Sequence, residues 1–227
     1  MSIWTRISAA LSSLASGEAL GTLFDSLRSP PERSVAFTIA VIALGAKMAK
    51  ADGRVTRDEV SAFRRIFFIP KREEANAAKV FNLARQDVAG FEDYARRIAR
   101  MFRDDEQTRI DLLEGLFRIA VADGEYHPAE DAFLSRVAEI FGLGDRCFRS
   151  LRTRHVPDAP PDPYAVLGVS PEAPLEEIRA AWKQAVRESH PDRMKARGVP
   201  EEALQLAEAR MIAVNAAWEE ISRLRAA

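Results

Sequence analysis

Cysteine is almost absent: Cys147 is the single one in a chain of 227 residues. An internal disulfide and a multi-cysteine zinc module are therefore excluded, and a reducing compartment is expected. Aromatic residues make up only 8%, and β-branched alternation is rare beside abundant Ala, Leu, Glu and Arg. That balance predicts an all-α fold. There is no excess of either charge, since the net charge is -1. Attraction of the whole molecule to nucleic acid or to an anionic membrane is not expected, and no nucleic-acid partner is read from the sequence. No apolar run reaches the ~20 residues that a bilayer span needs. The most apolar stretch, Val35 to Ala46, is bounded by Arg33 and Lys47 and predicts a buried core helix. The opening residues, MSIWTRISAALSSLASGEAL, lack a basic start followed by a clean apolar block, so no leader and a cytoplasmic location are expected.

What is present fits a soluble globular protein, with 47% hydrophobic and 30% charged residues and room for two domains. Residues 1–30 read as an N-terminal helical segment. Ile3, Ile7, Leu11 and Leu14, then Leu20, Leu23, Phe24 and Leu27, follow helical spacing before Pro30-Pro31 breaks the chain. Docking on the following domain is the first reading. A peripheral membrane contact, with Trp4 and Arg6 at the interface, is the alternative, although its polar face is rich in serine rather than lysine.

Residues 31–151 contain an internal repeat. At one constant offset Ile39 pairs with Ile110, Ile42 with Leu113, Ala51-Asp52-Gly53 with Ala122-Asp123-Gly124, and Glu59 with Glu130. Each unit is an apolar helix, an Asp-Gly turn and an amphipathic helix, which predicts one helical domain around two buried central helices. The turns have a structural account: Thr56 and Glu59 suit a capping box, and Pro128 with Glu130 suit the first turn of a helix. They also admit a metal reading. Asp52, Glu59, Asp123 and Glu130 are hard oxygen ligands at matching positions, with His127 nearby, and would together hold a divalent cation if the two turns met. An EF-hand is excluded, because its first ligand positions would fall on Met48 and Lys50, or on Ile119 and Val121.

Residues 152–161 carry Pro157, Pro160 and Pro161 and read as a stiff linker. Arg146, Arg149, Arg152 and Arg154 before it read as a solvated helix end. The final domain, 162–227, is read as a helical hairpin. A short turn, DPYAVLGV, precedes a first helix with Ile178, Ala181, Trp182 and Ala185 on one face and Arg179, Lys183 and Arg187 on another. The last helix offers a seam of Leu204, Ala207, Met211, Val214, Trp218 and Ile221. Between them stands His190-Pro191-Asp192, where proline ends the first helix. An exposed basic stripe leading to a polar tip suits an acidic partner. A hydrolase using His190 and Asp192 has no nucleophile beside it.

Two resemblances follow. KADGRVTRDE paired with VADGEYHPAEDAFLSRVAEIFGL resembles the TerB-like helical domain, over residues 33 to 152. DPYAVLGVS, EEIRAAWKQAVRESHPDR and VNAAWEEI, in that order, resemble a J-domain, and the insertion after the tip is similar to that of DjlA-type proteins, which join the two. The resemblance implies a co-chaperone rather than an enzyme, with no required cofactor. It implies that the hairpin docks on a DnaK-type ATPase chaperone through Arg179, Lys183, Arg187, His190, Pro191 and Asp192, and that the TerB-like domain targets it to an unidentified client. Departures are Pro174 at a cap position, Ala185 and Ser189 in place of bulkier residues, and Glu188 in place of a base. They imply looser packing and weaker docking. DjlA-type proteins begin with a membrane span, which is not expected here.

Overall fold

The computed structural model describes residues 3–12, 27, 32–51, 69, 71, 74–86, 90–122, 124–156, 162–200 and 204–226. Among these every regular element is a helix, as the composition predicts. The repeat domain comprises α1 (Ile3–Ser12), α2 (Glu32–Ala51), α3 (Glu74–Gln86), α4 (Phe91–Met101), α5 (Glu106–Ala120), α6 (Pro128–Ile140) and α7 (Asp145–His155). The hairpin domain comprises α8 (Pro163–Leu167), α9 (Leu175–Glu188), α10 (Pro191–Ala196) and α11 (Gln205–Ala226).

The central helix α2 is apolar on every side, and Val35 to Leu44, Ala46 and Met48 are buried. A helix without a polar face must be wrapped by others, and α1, α3, α4, α5 and α6 all pack against it. Ile3 and Ile7 of α1 join this core with Leu112, Leu113, Leu116 and Phe117 of α5, so α1 is docked. The side chain of Trp4 lies outside the described residues.

Local sequence sets the helix starts. The Asp105 carboxylate accepts from Thr108 N at 3.0 Å and caps α5. Pro128 opens α6, and Glu130 reaches back to accept from His127 N at 2.8 Å, as the capping reading requires. The preceding turn places Gly124 at φ 92. At the other end of the domain, α7 runs on through Arg152, Arg154 and His155. Regular structure therefore continues past the expected boundary at residue 152, and Val156 is buried.

The hairpin has its own small core of Val166, Leu167, Ala173, Ile178, Val214, Ala217 and Ile221. Trp182 stacks on Trp218 with centroids 5.1 Å apart and donates its indole N–H to Asn215 Oδ1 at 2.8 Å. A half-buried indole is best served by such an acceptor, and Asn215, itself half-buried, is part of the packing.

The expected seam of α11 does not serve one core. Val214, Trp218 and Ile221 pack within the hairpin, whereas Leu204, Leu206 and Ala207 pack into the repeat-domain core. The segment between the tip and α11 follows the same route. Met194 and Val199 are buried in the larger core, and Gly198 at φ 90 closes α10: Val199 N donates to Met194 O and Gly198 N to Lys195 O, each at 3.0 Å. A Cβ on Gly198 would stand 2.9 Å from the Cβ of Arg33, at the start of α2. Gly198→Ala is thus strained in its dihedral and by contact. A loss of about 2 kcal/mol is expected, read as a lower denaturant midpoint of the whole chain.

Candidate functional site

The basic stripe and the tip share one hairpin. Arg179, Lys183 and Arg187 stand one turn apart on α9, and all three are exposed. Arg179 and Lys183 make no ion pair among the described residues, which leaves their charge available to a partner. The helix ends at Ser189, which is fully buried and whose hydroxyl donates to the Ala185 carbonyl at 2.7 Å. This bond accounts for a small polar residue where the resemblance led us to expect an aromatic one: Ser189 closes the helix locally.

His190 begins a new helix rather than a loop. Pro191 occupies the first position of α10, where its missing N–H is no loss. The His190 Nδ1 accepts from Asp192 N at 3.2 Å, and its carbonyl accepts from Arg193 N at 3.0 Å and Met194 N at 3.1 Å. In the neutral ring an accepting Nδ1 leaves the proton on Nε2, which makes Nε2–H the outward donor. The Asp192 carboxylate, 3.7 Å from Nδ1, is 86% exposed and the imidazole 58%. The site thus offers one ring donor, one free carboxylate and a row of cations. No nucleophile stands among them.

Glu188 is bound up within the chain. Its Oε1 accepts from Arg193 Nη1 at 3.0 Å and from Gln184 Nε2 at 2.8 Å, and its Oε2 from Arg197 Nη1 at 3.0 Å. The repulsion expected between Glu188 and an acidic partner is correspondingly blunted. On the opposite flank of α9, Ala181, Gln184, Ala185 and Glu188 line a groove of about 490 Å³ shared with Arg146, Cys147 and Ser150 of α7.

A second constellation is one that helical spacing alone does not reveal. Asp111 and Glu114, one turn apart on α5, are buried inside an otherwise apolar helix face. Arg210 of α11 reaches both: Nη2 donates to Asp111 Oδ1 at 2.6 Å and Nε to Glu114 Oε2 at 2.7 Å, with a further contact from Nη2 to Glu114. Arg197 Nη2 donates to Asp111 Oδ2 at 3.0 Å, and His155 Nε2 stands 3.0 Å from Glu114 Oε1. Arg154, expected on a solvated end, is buried 3.8 Å from Glu114, and burial lowers its guanidinium's proton affinity despite the nearby carboxylate. Burial, the largest influence on Glu114, would push its carboxyl up. Arg210, then Arg154 and His155, outweigh it and hold that carboxyl well below the usual range. The available signal was two carboxylates at helical spacing within IDLLEGLFRIA and one arginine in an apolar seam.

Asp52, Glu59 and Asp123 lie outside the described residues. Glu130 is buried, with Oε2 on the backbone of His127. Among the described residues no group of three or more His, Cys, Asp or Glu is placed to hold a metal ion. No described helix is long and apolar enough to cross a membrane.

Comparison with known proteins divides the chain in the same way. The family model for tellurite resistance protein TerB matches residues 38–153, and that for the DnaJ domain matches residues 162–225. The Co-chaperone protein DjlA of Photobacterium profundum is 27% identical over 222 residues, covering 85% of this chain and 79% of the relative. That of Shewanella oneidensis is 26% identical over 194 residues, covering 78% and 74%. No solved structure matches the chain. With the apolar helices α2 and α5 buried in one core, a hairpin tipped by His190-Pro191-Asp192 after them, and both family models matching in that order, the chain belongs to the DjlA-like family, in which a TerB domain precedes a J-domain.

Proposed function

We propose that this protein is a co-chaperone whose J-domain docks on a DnaK-type chaperone and stimulates its ATP hydrolysis. The observation that carries this reading is the exposed stripe of Arg179, Lys183 and Arg187 running to a tip already ordered as a helix start. The relatives' printed description as co-chaperones supports it. In this reading the three cations steer and hold an acidic docking face, and Pro191 fixes the bend. His190 and Asp192 make the hydrogen bonds that couple docking to hydrolysis in the partner. The chain supplies no catalytic group of its own, and its TerB domain directs it to a client.

The test is ATP turnover by a DnaK-type chaperone with and without the full chain. Turnover is expected to rise with added protein and to saturate. No rise at any concentration would overturn the reading. Lys183→Glu should weaken docking several-fold at 10 mM salt and much less at 1 M, because the screening length contracts from about 30 Å to about 3 Å. Equal weakening at both salts would remove steering from its role.

A further inference from the structure

The flanks of the tip are anchored elsewhere than the hairpin. Glu188, the last residue of α9, lies two positions before His190. Its carboxylate accepts from Arg197 Nη1 at 3.0 Å, and its carbonyl from Arg197 Nη2 at 3.1 Å. The same Nη2 donates to Asp111 Oδ2 at 3.0 Å. Asp111 is fully buried in α5 and is held on its other oxygen by Arg210. One planar guanidinium therefore joins a core carboxylate of the TerB domain to the backbone that turns into the tip. Arginine suits that task, since its fork presents several donors in a fixed plane.

Beyond the tip, Met194 and Val199 are buried in the TerB-domain core, and Gly198 lies against the start of α2. Both sides of His190-Pro191-Asp192 are thus fastened to the TerB domain. The stripe and the tip side chains themselves stay exposed. Fastening of this kind would be superfluous if the J-domain only swung on a tether.

We infer that the TerB domain is a positioning element for the tip, acting through Asp111 and Arg197 to fix the end of α9 against the start of α10. Arg197 is the positioning residue. It touches neither the stripe nor the tip side chains, and acts through Glu188. The functional consequence rests on the co-chaperone reading above; the structural one does not.

Full-length Arg197→Met and Arg197→Lys test it. The amides of Arg193 and Met194 donate to the His190 carbonyl, and in Arg197→Met their hydrogen exchange is expected to quicken about tenfold relative to that of α4, with partial recovery in Arg197→Lys. With a DnaK-type chaperone, Arg197→Met is expected to lower the maximal stimulated turnover about fivefold and leave the half-saturating concentration within about twofold. Unchanged local exchange with unchanged maximal turnover overturns the inference. So does exchange quickened equally in every helix, which marks a general loss of stability. Should wild type give no stimulation, the co-chaperone reading fails and exchange alone decides the positioning role. Should Arg197→Met not fold, Glu188→Ala leaves Asp111 paired, removes the side-chain acceptor of Arg197 Nη1, and carries the same expectation and the same overturning results.

Discussion

Arg210→Ala is expected to destabilise the protein by about 3–5 kcal/mol, the cost of stranding buried charge. The guanidinium is enclosed against two carboxylates that are almost wholly buried, its side chain being only 3% exposed. Burial alone would lower its proton affinity, but Glu114 and Asp111 outweigh that and raise it. With Arg210 removed, Arg197, Arg154 and His155 remain, and none of them reaches Glu114 as closely. Burial then dominates at Glu114, which is expected to take up a proton as the variant folds. Denaturant unfolding at neutral pH reads the loss. The companion variant, Arg210→Met with Asp111→Asn, should recover part of it, because Glu114 keeps Arg154 and His155 and Arg197 keeps Glu188, so that no charge is left without a partner. A loss below about 1 kcal/mol in Arg210→Ala would show that water reaches the cluster.

The same carboxylate fixes a pH dependence. The folded value of Glu114 lies below its unfolded value of about 4.3, so the folded state binds fewer protons between the two. Its stabilisation is complete above about 4.3 and is lost as pH falls through the folded value. Wild type should therefore lose stability on acidification below about pH 4.3, whereas in Arg210→Ala, whose Glu114 takes up a proton on folding, acidification should narrow the deficit instead of widening it.

Much of this architecture was legible because helical spacing reports burial. Ile178, Trp182 and Ala185 against Val214, Trp218 and Ile221 define the hairpin, and they pack as that spacing requires. The unbroken apolarity of Val35 to Ala46 reported a wrapped central helix. The tip was legible as a break because proline cannot continue a helix. That the break restarts a helix depends on His190 accepting from Asp192 N, a bond whose geometry no spacing rule contains.

What stayed hidden is long-range. Glu114 and Arg210 meet across 96 residues, and a charge at helical spacing reads as a solvated face unless its partner is known. The α11 seam was legible as apolar but not as divided, since Leu206 and Val214 differ only in which core they meet. The division matters: α11 leaves the TerB core at Ala207 and enters the hairpin core by Val214, passing Arg210 between them. The buried ion pairs therefore sit at the seam's change of core. Apolar packing alone would allow α11 to slide along α5 by a turn, whereas a charge cluster holds one register.

His190→Gln is expected to reduce stimulated turnover of a DnaK-type chaperone about 100-fold. Its amide carries an N–H, but on a flexible stem that is not held where the ring fixes Nε2–H, so the charge-assisted hydrogen bond made only in the activated complex is lost. The folded chain should scarcely notice. The imidazole is 58% exposed, and its role within the protein is to accept from Asp192 N. His190→Asn separates that role from docking. Its amide oxygen lies near the position of Nδ1 and keeps the cap, whereas nothing replaces the outward Nε2–H. It should therefore match wild type in melting temperature and match His190→Gln in turnover. If Asn retained wild-type stimulation and Gln did not, the ring's function would be to start α10. If both retained it, His190 would be a helix cap alone, and coupling would have to run through Asp192, whose exposed carboxylate is the other group free at the tip.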